Sequence, residues 1–156
     1  MVVKQLWAPW RLEYIRQADE LPGCIFCEPE EELVVHRGEL AFVLLNRFPY
    51  ASGHVMIAPA RHVGGLADLT ADEALEIHRL TVASLEALTA AYAPDGSNLG
   101  WNLGRVAGAG VVDHVHLHVV PRWAGDTNFM PVLADVKVLP EHLAETRDRL
   151  AAEWPA

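Results

Sequence analysis

A chain of 156 residues, 51% of them apolar, can bury roughly 70% of the surface its unfolded form exposes, so one rigid domain needs no disulfide framework. Twelve Lys and Arg against 21 Asp and Glu give a formal charge of −9, the wrong sign for gripping a nucleic-acid backbone, although a few N–H groups and local cations still suffice for a small phosphate ligand. No apolar run reaches the roughly 18 residues of a membrane span, and residues 1–17 lack the apolar run and cleavage site of a signal peptide; the expectation is a soluble, cytoplasmic protein with no nucleic-acid or membrane partner.

In chain order, residues 1–22, with Trp7 and Trp10, are read as an extension packed on a single domain that spans 1–156. Cys24 and Cys27 follow in Gly-Cys-Ile-Phe-Cys. In a cytosolic chain this spacing marks half a metal site or a redox pair, or simply two packed thiols. A complete zinc site needs two further ligands. Residues 28–32 form an acidic turn. Glu39 to Asn46 is a buried strand, 47–53 the turn after it, and His54 to Pro59 the returning strand, stopped by its proline. The two pair antiparallel.

The clearest helix runs from Asp68 to Tyr92, with Thr70 as cap, Asp72 and Glu73 at its positive end, and Ala93-Pro-Asp-Gly as its stop. Leu75, His78, Val82, Leu85 and Leu88 recur at helical spacing and are taken as the face laid on the sheet, which makes His78 structural. Strands follow at 99–103 and 115–121, then a helix over 141–154 with Pro140 near its start, within an extension covering 122–156. His36 and His142 have no motif around them and are read as surface residues; Trp123 and Trp154 are core, interface or stacking groups. The whole is an α+β domain, an antiparallel sheet of about five strands with a long helix on it and a C-terminal helix.

Residues 113–121 read Asp-His-Val-His-Leu-His-Val-Val-Pro. On a strand, alternate side chains share a face, so His114, His116 and His118 project together while Val115, Leu117 and Val119 enter the core. Three co-facial imidazoles add nothing to a stable sheet, because they bury poorly and repel when protonated. Two chemistries use such a row. His-x-His can supply two metal ligands, or one neutral imidazole can attack phosphorus while its neighbour protonates the leaving oxygen. The preceding segment, Asn102 to Asp113, contains three glycines. Alone it reads as a turn; running into the histidines, it reads as a backbone cradle for phosphate and favours the nucleophile.

His114-Val-His-Leu-His-Val-Val120 resembles the motif of the histidine triad superfamily, and Leu45 to Pro59 resembles its nucleotide-binding hairpin. The resemblance covers about residues 23–125. The ends, Leu6 to Tyr14 and Pro121 to Met130, are similar to those of a bacterial diadenosine tetraphosphate phosphorylase-like branch. It implies a nucleotidyl transferase or hydrolase acting on dinucleoside polyphosphates, with adenine nucleotides favoured. Its enzymatic rival is a nucleoside phosphoramidate hydrolase; from another class, a nucleotide-binding regulatory module.

The resemblance further implies roles residue by residue. His116 attacks the α-phosphorus, His118 serves the leaving group or acceptor, and His54 fixes the protonation of the triad. Asn46 binds the ribose, Phe42, Leu44 and Ile25 wall the base, and Asn102 with the backbone of Ala109 and Gly110 holds the phosphates. Gly110 stands where many hydrolytic members carry glutamine, which leaves room for inorganic phosphate as acceptor. A structural zinc on Cys24, Cys27, His62 and His114 is implied, as is a homodimer with joined sheets and the long helix at its interface. Magnesium accompanying the substrate is a further expectation.

Overall fold

The computed structural model describes residues 23–126 and 141–156. The expectations for residues 1–22, with Trp7 and Trp10, and for Pro140 lie outside them, as do residues 127–140 of the C-terminal extension. Among the described residues, five strands form one antiparallel sheet: β1 (Val34–Arg37), β2 (Ala41–Leu45), β3 (Val55–Pro59), β4 (Gly96–Trp101) and β5 (Leu117–Arg122), in the spatial order β1-β2-β3-β5-β4. Two helices accompany it, α1 (Ala71–Tyr92) and α2 (Leu143–Ala152). No described helix is long and apolar enough to cross a membrane.

Strand alternation gives the sheet two unlike faces. Ala41, Val43, Leu45, Val55, Ile57, Leu117 and Val119 join Ile77, Leu80 and Leu88 of α1 and Leu150 of α2 in the main core. Phe42, Leu44, Met56 and Ala58 point the other way and gather with Phe26 in a second cluster, flanked by Cys24, Ile25, Val34 and Val111. Met56 lies opposite His118 across the β3–β5 ladder, so the second face is also the histidine face.

Helix α1 starts at a reciprocal capping box: the Thr70 hydroxyl accepts from the Glu73 N–H at 3.2 Å, and Glu73 Oε2 accepts from the Thr70 N–H at 2.8 Å. Arg61 also donates to both Glu73 oxygens, which pulls that carboxyl down to about 2. At the other end Ala93 takes the left-handed conformation (φ +44°), and the Trp123 indole N–H donates to the Tyr92 carbonyl, one of the last-turn acceptors.

Three expectations need correction. The buried face of α1 is Glu73, Ile77, Leu80, Thr81, Ser84, Ala87 and Leu88, whereas Leu75 and Val82 are 47% and 43% exposed and His78 is exposed beside them. Polar residues fit the sheet-facing side because Thr81 and Ser84 return their hydroxyl protons to the Ile77 and Leu80 carbonyls, each at 2.7 Å. His36 is half-buried rather than free on the surface. A bulge in β1 between Val34 and His36 breaks the alternation and turns the ring onto Trp154, stacked at 4.6 Å, where burial lowers its pKa. Finally, the regular strand begins at Leu117, so His114 and His116 precede it.

Candidate active site and metal centre

The turn between β2 and β3 builds one end of the site. Asn46 Oδ1 accepts from the Phe48 N–H at 2.8 Å, an Asx turn, while its amide nitrogen lies 3.5 Å from Met56 Sδ. Gly53 has φ +79°, and a Cβ there would stand 2.8 Å from Leu88, so the turn requires glycine on two counts. The chain then delivers His54, fully buried at 0% exposure.

Hydrogen bonds fix a single arrangement of protons from there. The Tyr50 N–H donates to His54 Nδ1 at 3.1 Å, so the His54 proton sits on Nε2, which lies 3.0 Å from His118 Nδ1 and donates to it. His118 in turn carries its proton on Nε2, which faces Asn102 Nδ2 at 3.3 Å, so the amide must turn over to accept it. The amide rotamer that presents Oδ1 there satisfies that proton. His118 thus aims an N–H at the open end of the site. Tyr50 also stacks on the His54 ring at 4.8 Å, backing the relay from outside.

His116 is 5% exposed. Its Nδ1–H donates to the His114 carbonyl at 2.8 Å, which leaves the lone pair on Nε2. Burial lowers its pKa, so the ring stays neutral and nucleophilic at pH 7. The His118 ring stands edge-on to it, 4.9 Å between centroids. Phe42 and Leu44 are buried on the same face with Ile25 half-buried nearby. Ala109 is buried and its N–H already donates to the Gly104 carbonyl at 3.3 Å, while Gly110 is half-buried in the same loop.

His114 faces away from this chemistry. It is 0% exposed, and its Nε2–H donates to the Pro59 carbonyl at 2.9 Å, turning the Nδ1 lone pair toward Cys24 Sγ at 3.2 Å and Cys27 Sγ at 3.7 Å. His62 Nδ1 lies 3.2 Å from Cys27 Sγ, with its Nε2 3.5 Å from the Asp113 carboxylate. One ligand atom from each of Cys24, Cys27, His62 and His114 falls within 4.8 Å of all the others. These four residues can hold a metal ion. The histidines fit the task because each offers Nδ1 inward while an outer acceptor orients its other nitrogen, the second shell of a metal site. The cysteines sit in a tight turn, with the Cys27 and Glu28 N–H groups both donating to the Cys24 carbonyl.

The sequence reading did not single out Phe26. It is 2% exposed, between the two cysteines, with its ring 4.5 Å from His116 and 5.2 Å from His114. The signal was a large apolar side chain inside a Cys-x-x-Cys turn, where an exposed knuckle would carry polar residues. Tyr50 was passed over likewise, since its backbone N–H does the work.

The HIT domain family matches residues 28–125. An AP-4-A phosphorylase from Mycobacterium tuberculosis is 39% identical over 165 residues, covering 97% of this chain and 85% of that protein. Among solved structures, a hypothetical histidine triad nucleotide-binding protein from Sulfolobus tokodaii aligns with a TM-score of 0.68 at 25% identity, over 83% of this chain and 91% of that one. A Zn-bound histidine triad family protein from Mycobacterium smegmatis has the same fold, with a TM-score of 0.68 at 24% identity over 84% and 92% of the two chains.

Proposed function

The chain belongs to the HIT domain family, and from that premise we propose that it is a nucleotidyl transferase that cleaves dinucleoside polyphosphates such as diadenosine tetraphosphate. The observation that carries this reading is His116, a buried neutral imidazole whose Nδ1–H is committed to a carbonyl and whose Nε2 lone pair remains for phosphorus. Nε2 attacks the α-phosphorus; an N–P bond forms and the P–O bond to the rest of the substrate breaks. His118 directs its Nε2–H to the departing oxygen, which leaves as a phosphate oxyanion stabilised by that hydrogen bond, and His54 holds His118 in that tautomer. In the second step an oxyanion of the acceptor, oriented by the same N–H, attacks phosphorus; an O–P bond forms, the N–P bond breaks and His116 is freed.

Phe42, Leu44 and Ile25 form the walls for the base, which we assign to adenine. Asn46 offers the second lone pair of its Oδ1 to the ribose, and Asn102 with the Gly110 backbone binds phosphate. Inorganic phosphate is the acceptor in this proposal, supported by Gly110 and by the likeness to a protein named as a phosphorylase. Turnover of diadenosine tetraphosphate with phosphate is expected to give ADP and ATP; AMP and ATP at a rate indifferent to phosphate overturns phosphorolysis, and no turnover overturns the activity. Magnesium neutralises the substrate's phosphates, so rates are expected to rise on adding it.

Zinc is the proposed metal, since two thiolates and two imidazoles match its tetrahedral preference. It would fasten the Cys24–Cys27 turn to the catalytic segment. Elemental analysis of protein purified without added metal is expected to give about one zinc per chain; a value far below that removes the metal from the proposal. A homodimer completes the assignment, with Leu75 and Val82 on α1 and Leu99 on the edge strand β4 as exposed apolar groups for it to cover. Sedimentation at micromolar concentration tests this, and a monomer refutes it.

A further inference from the structure

The metal-site residues and the attacking imidazole share more than a neighbourhood. His114 turns its ring to the thiols and its carbonyl to the His116 Nδ1–H, so one residue serves both sites. Its neighbour Val115 is tied by its N–H to the Val63 carbonyl at 2.7 Å, which fixes the chain carrying His114 to the chain carrying His62. Phe26 closes the third side. It is covalently two residues from Cys24 and one from Cys27, fully buried, and its ring lies at 32° to the His116 ring, 4.5 Å away.

We propose that Phe26 is a positioning residue through which metal occupancy sets the placement of His116. With all four ligands drawn to one ion, the Cys24–Cys27 turn is pinned and Phe26 is pressed against the imidazole. Without the ion, the turn keeps its backbone bonds, its thiol contacts to His62 and His114 and the packing of Phe26 in its apolar cluster, but loses the four-ligand anchor that fixes the ring against the imidazole. Displacements of about 1 Å in an attacking group cost on the order of a hundredfold in rate, so this contact is sufficient to govern turnover. The inference rests on the reading of His116 as the nucleophile for its kinetic consequence, but not for its structural one.

The test is a cycle on the full-length protein, with zinc loaded or stripped in wild type, Phe26→Leu and Phe26→Ala. Three quantities are read: zinc affinity by chelator competition, the His116 Nδ1–H signal in the proton NMR of 15N-histidine-labelled protein, and kcat and KM on diadenosine tetraphosphate. In wild type, stripping zinc is expected to broaden or lose the Nδ1–H signal and to lower kcat on the order of tenfold or more, by more than any rise in KM that comes from Ile25 in the same turn. Phe26→Ala is expected to do the same while zinc is still bound with nearly unchanged affinity, and stripping zinc from it adds little. Phe26→Leu, which keeps apolar bulk, recovers part of both readouts.

Equal losses on stripping zinc from wild type and from Phe26→Ala, or an unchanged Nδ1–H signal in Phe26→Ala, overturn the proposal. If Phe26→Ala loses zinc binding, Phe26→Leu carries the cycle under the same criteria. A wild type that turns over no nucleotide yet shows the coupled NMR response defeats the catalytic reading and leaves the positioning role standing.

Discussion

The two faces of the sheet are written by the same strands in alternate letters, yet they obey different rules. Beneath α1, Val43, Leu45, Val55, Ile57, Leu117 and Val119 are aliphatic without exception. Across the sheet, Met56 and His118, with His54 and His116 immediately before β3 and β5, bury polar atoms, each given a hydrogen-bonding partner. Burial on the first face lowers free energy in proportion to area; on the second, burial is tolerable only because every imidazole proton is directed. The lesson is that pre-organisation for chemistry and cohesion of the fold are separable here, strand by strand.

The sharpest way to break that separation is to change the attacking group while sparing its hydrogen bond. His116→Asn can still donate to the His114 carbonyl, so it is expected to reduce kcat on the order of a thousandfold or more while unfolding free energy changes by about 1 kcal/mol. Denaturation and steady-state kinetics on the same preparation measure both, and a large loss of stability would join the two faces again. The reciprocal change is Ile57→Ala, beneath the helix. It should cost about 2–5 kcal/mol, with kcat near wild type wherever the protein remains folded; a large fall in kcat in fully folded protein breaks the comparison from the other side.

Glu73→Gln tests the helix that covers the apolar face, at about 1–2 kcal/mol. Its sign with pH is fixed by the depressed carboxyl. The Glu73 contribution is complete above the ordinary carboxylate value of 4.5 and is lost as pH falls toward the folded value of about 2. Thermal melts should therefore show wild type and variant converging in acid. A constant gap between them assigns the capping box and the Arg61 pair no share of the difference.

The histidine alternation, the hairpin and the Thr70 cap were legible because each depends on local chemistry: period two, a proline stop, a hydroxyl before acidic residues. The helix face was not. Leu75 and Val82 are apolar and correctly spaced, but the side that meets the sheet is chosen by tertiary fit, and Thr81 and Ser84 enter it by hiding their hydroxyls in the helix's own carbonyls. β1 was missed because a bulge within four residues erases its alternation. For the site, the order of histidines pointed to the chemistry, whereas the direction of each proton was invisible: it depends on the carbonyls of Pro59 and His114 and on the Tyr50 N–H, and backbone groups have no letter of their own.

The spatial order β1-β2-β3-β5-β4 has a consequence in time. β5 lies between β3 and β4, so while it is outside the sheet those two strands each present a bare edge, and His118 has no His54 to meet. Closing that gap joins residues 64 positions apart, among the slower kinds of event in folding because the intervening loop must be closed first. The β3–β5 ladder, the pairing of greatest sequence separation in the sheet, and the proton relay form together. A chain caught short of it is open to strand addition from its neighbours and, by the same omission, chemically silent.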